Sequence, residues 1–138
     1  MRYSTTPYHK KIIKPWGHEV IFTPDGGDHV GKLLFVNAGK RLSLQYHDEK
    51  EETLCLVSGH AILWLENAEG TVEKIPMKVG EGYTIVRLQK HRIEAVADAM
   101  FVECSDPEKG NTVRLEDDYH RGTETDAMRT QPQRGWTG

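Results

Sequence analysis

The sequence predicts one domain of all-β class, a barrel or sandwich of antiparallel strands. Three observations lead there. Turn formers punctuate the chain at short intervals, at Pro24 to Gly27, Asn37 to Gly39, Ser58-Gly59, Asn67 to Gly70, Gly80 to Gly82, Asp98 and Asp106 to Gly110. The runs between them are short and rich in Val, Ile, Leu, Phe and Tyr, with no long amphipathic helical pattern among them. The connections are also too short for helical crossovers, which implies antiparallel pairing.

The elements follow in order. Strands are expected over His18–Thr23, Val30–Val36, Arg41–His47, Thr53–Val57, Ala61–Glu66, Val72–Ile75, Tyr83–Arg87, Ile93–Ala97, Met100–Cys104 and Thr112–Leu115. The barrel domain takes residues 14–119. Residues 1–13 read as a loose arm or an added edge strand. Residues 120–138 read as a polar tail, mobile or packed on a neighbouring subunit, in which Trp136 is expected to dock. A homodimer formed by edge pairing is the expected assembly, because open sheet edges need cover.

Composition bounds the partners. The 138 residues suit one ordinary domain, with 37% hydrophobic and 28% charged residues. A net charge of −3 offers no basic surplus for nucleic acid. No apolar run approaches the roughly 20 residues that span a bilayer. The first residues lack the apolar stretch of a secretory signal, so a cytoplasmic protein without membrane partners is expected. Cys55 and Cys104 lie in strand-like stretches and are expected to be reduced and buried.

The segment Arg41-Leu-Ser-Leu-Gln-Tyr-His47 carries the chemistry. Strict alternation places Arg41, Ser43, Gln45 and His47 on one face. A charged turn follows, Glu52 opens the next strand, and His91 opens a later one. Imidazole, carboxylate and amide donors together suit one divalent metal: zinc first, with manganese, iron, nickel or cobalt as alternatives. Two neutral His, one Gln and one Glu leave such an ion a net charge of about +1 and room for water or substrate. Taken singly, His47 and His91 read as ordinary hydrogen-bonded histidines; their joint spacing with Glu52 favours ligation. Lys50, Arg41 and Arg114 have the chemistry to hold a phosphate and equally that of structural ion pairs. Trp16 reads as a core or rim anchor rather than a sugar-stacking platform.

Spacing narrows the reading. Gly39, five residues, Gln45, one residue, His47, four residues, Glu52, six residues, Gly59 resembles the first cupin motif, with Gln45 where many cupins have His. Gly80, Val86 and His91 follow the second motif, with Val86, Leu88 and Ala95 departing from it. Lys14-Pro-Trp-Gly17 with Glu19, Leu42 to His47, Lys50, Glu52, His91 to Glu94, and Val113 to Asp117 with Tyr119 and Arg121 resemble the cupin domain of type II phosphomannose isomerases. The resemblance covers about residues 14–121, and Gln at the first ligand position fits that family. It implies a jelly-roll barrel, the double-stranded β-helix, with a metal on Gln45, His47, Glu52 and His91. It also implies isomerisation of a sugar or sugar phosphate, with Lys50 or Glu103 as candidates for the proton-transferring group and Arg41 and Arg114 for substrate binding. Lys50 replaces the family's Arg, and the Gln and Tyr of its pattern are absent around Glu103 and Cys104. The cage therefore transfers better than the substrate-recognising shell. Other chemistry on the same cage (a dioxygenase, lyase or epimerase) and a non-catalytic small-molecule-binding module are the alternatives, since fold alone does not fix function.

Overall fold

A computed structural model of the chain describes residues 3–138. Among these residues eleven strands make two antiparallel sheets packed face to face. One sheet has six strands in the order β1 (Lys10–Lys14), β2 (Gly17–Ile21), β3 (Val30–Val36), β10 (Ala99–Ser105), β5 (Glu52–Ser58) and β8 (Gly82–Ile85). The other has five, in the order β11 (Thr112–Glu116), β4 (Leu44–His47), β9 (His91–Ala95), β6 (Ala61–Glu66) and β7 (Val72–Pro76). The expected strands all appear, and β1 is the added edge strand, paired from Lys10 with Ile21 to Lys14 with Gly17. Among the described residues, no helix is long and apolar enough to cross a membrane.

The interior has two storeys, and the two-residue period of the strands explains them. In β3, Lys32, Leu34 and Val36 all point inward; in β5, Glu52, Leu54 and Leu56; in β10, Ala99, Phe101 and Glu103; in β9, His91, Ile93 and Ala95. Each row is apolar over most of its length and ionic or imidazole-bearing at one end. The registers, Glu103 with Lys32 and Phe101 with Leu34, align those ends. The lower storey is a dry core around Phe101, Leu54, Leu56, Leu63 and Ile85, whose burial drives folding. The upper storey is a ring of buried charge at one mouth of the barrel.

Two glycines hold the frame. Gly17 closes the turn between β1 and β2 with φ 152°, where a Cβ would lie 2.0 Å from the Phe35 carbonyl oxygen. Gly59, with φ 93°, lets β5 turn into β6 where a Cβ would lie 2.1 Å from the Asp98 carbonyl oxygen.

Four expectations are corrected. The strand expected over Arg41–His47 begins only at Leu44, and Arg41 makes an isolated bridge to Glu94. Alternation breaks between them: Leu42 and Gln45, three residues apart, line the same cavity, so Arg41 does not share a face with Gln45. Cys104 is exposed and Cys55 half-buried, because both occupy the outward parity of their strands. The polar tail folds back on its own barrel. Thr112 and Glu124 exchange two backbone hydrogen bonds of 2.9 Å, a short helix α1 (Asp126–Arg129) follows, then a 3-10 turn over Pro132–Gly135. Trp136 docks edge-on against Tyr119, with ring centroids 6.4 Å apart.

Candidate metal centre

His47 comes from β4, His91 from β9 and Glu52 from the first position of β5. Glu52 Oε1 lies 3.5 Å from His47 Nε2 and 3.2 Å from His91 Nε2. One ligand atom from each of the three residues falls within a 4.8 Å cluster. Neither Nε2 is aligned for a hydrogen bond with that oxygen, and both are buried without a partner. Two orphaned imidazole nitrogens beside a buried carboxylate fit a cation, because ligand atoms bound at about 2.1 Å to one ion stand about this far apart. The remote nitrogens support this: His91 Nδ1–H donates to the Gln89 carbonyl oxygen at 2.9 Å, and His47 Nδ1 lies 3.0 Å from Thr112 Oγ1. Such bonds fix the ring and leave Nε2 free to ligate. Gln45 pairs with His91 across the strands and lines the same cavity, its amide oxygen accepting from Ser43 Oγ at 2.6 Å.

The electrostatics follow from burial. Burial pulls the His47 imidazole down to about 4, against the raising effect of Glu52, so His47 is neutral and able to ligate at neutral pH. Burial alone would raise the Glu52 carboxyl, yet Lys50 and the two imidazoles hold it well below its ordinary range. Lys50 Nζ sits 3.5 Å from Glu52 and 3.6 Å from Glu103. Burial opposes its charge, and Glu103, Glu52 and Glu19 more than offset this and raise it. Glu103 is pushed up by burial first and by Glu52 second, and its Oε2 has no hydrogen-bond partner.

Lys50, Glu103 and Arg114 all line the cavity with Gln45, His47 and Glu52, whereas Arg41 does not. Arg41 turns outward, donating to both oxygens of Asp118 at 2.7 and 2.9 Å and lying over Trp64. Arg114 donates to the Gly122 carbonyl oxygen at 2.6 Å and keeps a buried Nε unpaired. Trp16 is 3% exposed and belongs to the core, as expected. Sequence reasoning quoted Lys14, Glu19 and Arg121 without giving them a place in the site, and missed Lys32, Glu108, Glu124 and Arg134, which line the same cavity. For Lys32 the signal was parity, a charge in register with Leu34 and Val36. For Glu124 and Arg134 there was none, because they reach the mouth only through the fold of the tail.

Residues 2–121 match the family described as Mannose-6-phosphate isomerase C-terminal. The chain belongs to that family. No curated protein matches this member of the mannose-6-phosphate isomerase C-terminal family. Solved cupin structures share its fold. A single-residue variant of oxalate decarboxylase from Bacillus subtilis superposes with a TM-score of 0.65 at 16% identity, over 77% of this chain and 30% of that one. KdgF of a Halomonas species gives 0.62 at 16% identity, over 73% of this chain and 90% of that one. CapF of Staphylococcus aureus, a capsular polysaccharide assembling protein, gives 0.63 at 14% identity, over 86% and 34%. The chain thus spans about a third of the decarboxylase and CapF chains. At these identities the likeness shows the fold alone. The decarboxylase is described as having Mn(II) centres.

Proposed function

We propose that this protein is a metal-dependent aldose–ketose isomerase acting on a sugar phosphate. The observation that carries the proposal is the buried cluster of His47, Glu52 and His91, two of whose members, His47 and Glu52, line one cavity with Lys50, Glu103 and Arg114. Gln45 completes the ligand set. A divalent ion held there supplies Lewis acidity towards the carbonyl and neighbouring hydroxyl oxygens of an open-chain sugar. Glu103, whose buried Oε2 has Lys50 beside it but no hydrogen-bond partner, takes the proton from C2 and returns it to C1 through an enediol, while the hydroxyl proton moves from O2 to O1. Lys50 stays charged between Glu52 and Glu103 and faces the oxygen on which negative charge develops. Arg114 binds the anionic end. Family membership supports the sugar phosphate as substrate.

The test begins with metal content per chain, by mass spectrometry on protein purified without a metal-affinity tag, with His91→Ala as control. About one ion per chain is expected, lost in the control, together with conversion of mannose 6-phosphate into fructose 6-phosphate. Bound metal without turnover of any hexose phosphate would overturn the isomerase reading. One observation favours a second reading: the cavity is only about 60 Å³, room for about four waters at roughly 15 Å³ each. A smaller substrate, handled by a lyase or an iron dioxygenase, suits that volume. Iron as the native metal with oxygen uptake would select it.

A further inference from the structure

Residues 125–136 are held differently from the rest of the molecule. Neither α1 nor the 3-10 turn contributes a buried residue. The segment is attached by charge and a few polar contacts. Arg134 pairs with Glu108, with Glu124 at 3.4 Å and with Glu19 at 3.9 Å. Arg129 pairs with Glu124 at 3.1 Å and Glu108 at 3.2 Å. Gln133 Oε1 accepts from the Ile13 N–H, and Trp136 leans on Tyr119. Gln133 and Arg134 both take left-handed backbone, at φ 49° and 54°, a conformation unfavourable for residues other than glycine. Polar attachment, absence of core burial and local strain are the marks of a segment that opens below the cost of global unfolding.

Its position gives opening a consequence. Arg134 and Glu124 line the inner cavity of about 60 Å³ and also an outer chamber of about 230 Å³ beneath Tyr119 and Trp136. Lys14, Arg114 and Arg121 line both as well, so these five side chains stand between the two spaces. The inner cavity in this state is too small for a hexose phosphate. The lining carries six Lys and Arg side chains against five glutamates, and a divalent ion would raise the positive excess to about three. An entering anion therefore competes with Glu108 and Glu124 for the same guanidinium groups.

We propose that residues 125–136 form a lid that hinges beside the paired Thr112 and Glu124, with Arg134 as its latch, and that an anionic substrate reaches the cage by lifting it. The proposal rests on the cavity's being a substrate site, but its test needs neither metal nor turnover, so a failed isomerase assay leaves it intact. In a background with Cys55→Ser and Cys104→Ser, Leu34→Cys places one thiol on the wall of the inner cavity. The rate of its reaction with an aromatic disulfide reads lid opening. Arg134→Ala is expected to raise that rate at least tenfold, and Trp136→Ala, which loosens the other attachment, to raise it as well should the first variant fold poorly. Hydrogen exchange on the unsubstituted protein is expected to show the Met128, Gln131 and Trp136 amides exchanging at least tenfold faster than those of β10. Thiol reaction at the parental rate in both variants would overturn the proposal, as would lid amides protected as strongly as β10.

Discussion

Glu103 faces inward beside Lys50, with Lys32 opposite it on β3 and a buried oxygen that makes no hydrogen bond. If that carboxylate moves the proton, Glu103→Gln keeps the volume and one acceptor but loses the base. Turnover is then expected to fall by about 10² to 10⁴, the usual range for a general base, while metal content stays at one ion per chain. Loss of metal along with activity would make the residue a support of the cage instead. The clustering of His47, Glu52 and His91 was legible in the sequence because their spacing is set by strand and turn lengths. The assignment of Arg41 failed because a face cannot be read through a break in the strand: the chain twists between Leu42 and Leu44, and the guanidinium goes to Asp118.

Among the elements, the turn between β1 and β2 and the tail after β11 set the shape of the mouth. Gly17→Ala would drive a methyl group into the Phe35 carbonyl, and we expect a loss of more than about 1 kcal/mol in urea unfolding. In the tail, burial alone would raise the Glu124 carboxyl, but Lys14, Arg134, Arg129 and Arg114 together hold it down to about 2. A carboxyl depressed on folding contributes stability that is fully present above its unfolded value of 4.5 and is lost as pH falls towards 2. Acid unfolding followed by circular dichroism should show stability declining across that window, and Glu124→Gln should flatten the decline. The strands were legible element by element from turn formers and apolar runs. The tail was not, because its polar composition matches that of a mobile end and its order comes from ion pairs with residues far away in sequence.

At the scale of the molecule, the cage joins the two layers: His47 and His91 belong to the five-stranded sheet and Glu52 to the six-stranded one. An ion bound there holds only the folded form, so at 100 times its dissociation constant it should add about 2.7 kcal/mol of stability. Thermal unfolding with and without added metal measures this, and the increment should vanish in His91→Ala. All-β class and barrel architecture were legible from the sequence as a whole. The two-storey interior was present there too, in rows such as Lys32, Leu34, Val36 and Glu52, Leu54, Leu56, but only pairing registers reveal that the charged ends meet.

The sharing of ligands between layers has one more consequence. The apolar storey acts as a caliper whose jaws are the two sheets. Leu63 and Phe101, neither of them in the cluster of Glu52 and the two imidazoles, fill the space between those jaws. Trimming that filling is expected to shift the spacing of the three side chains, and with it the size of ion they would suit.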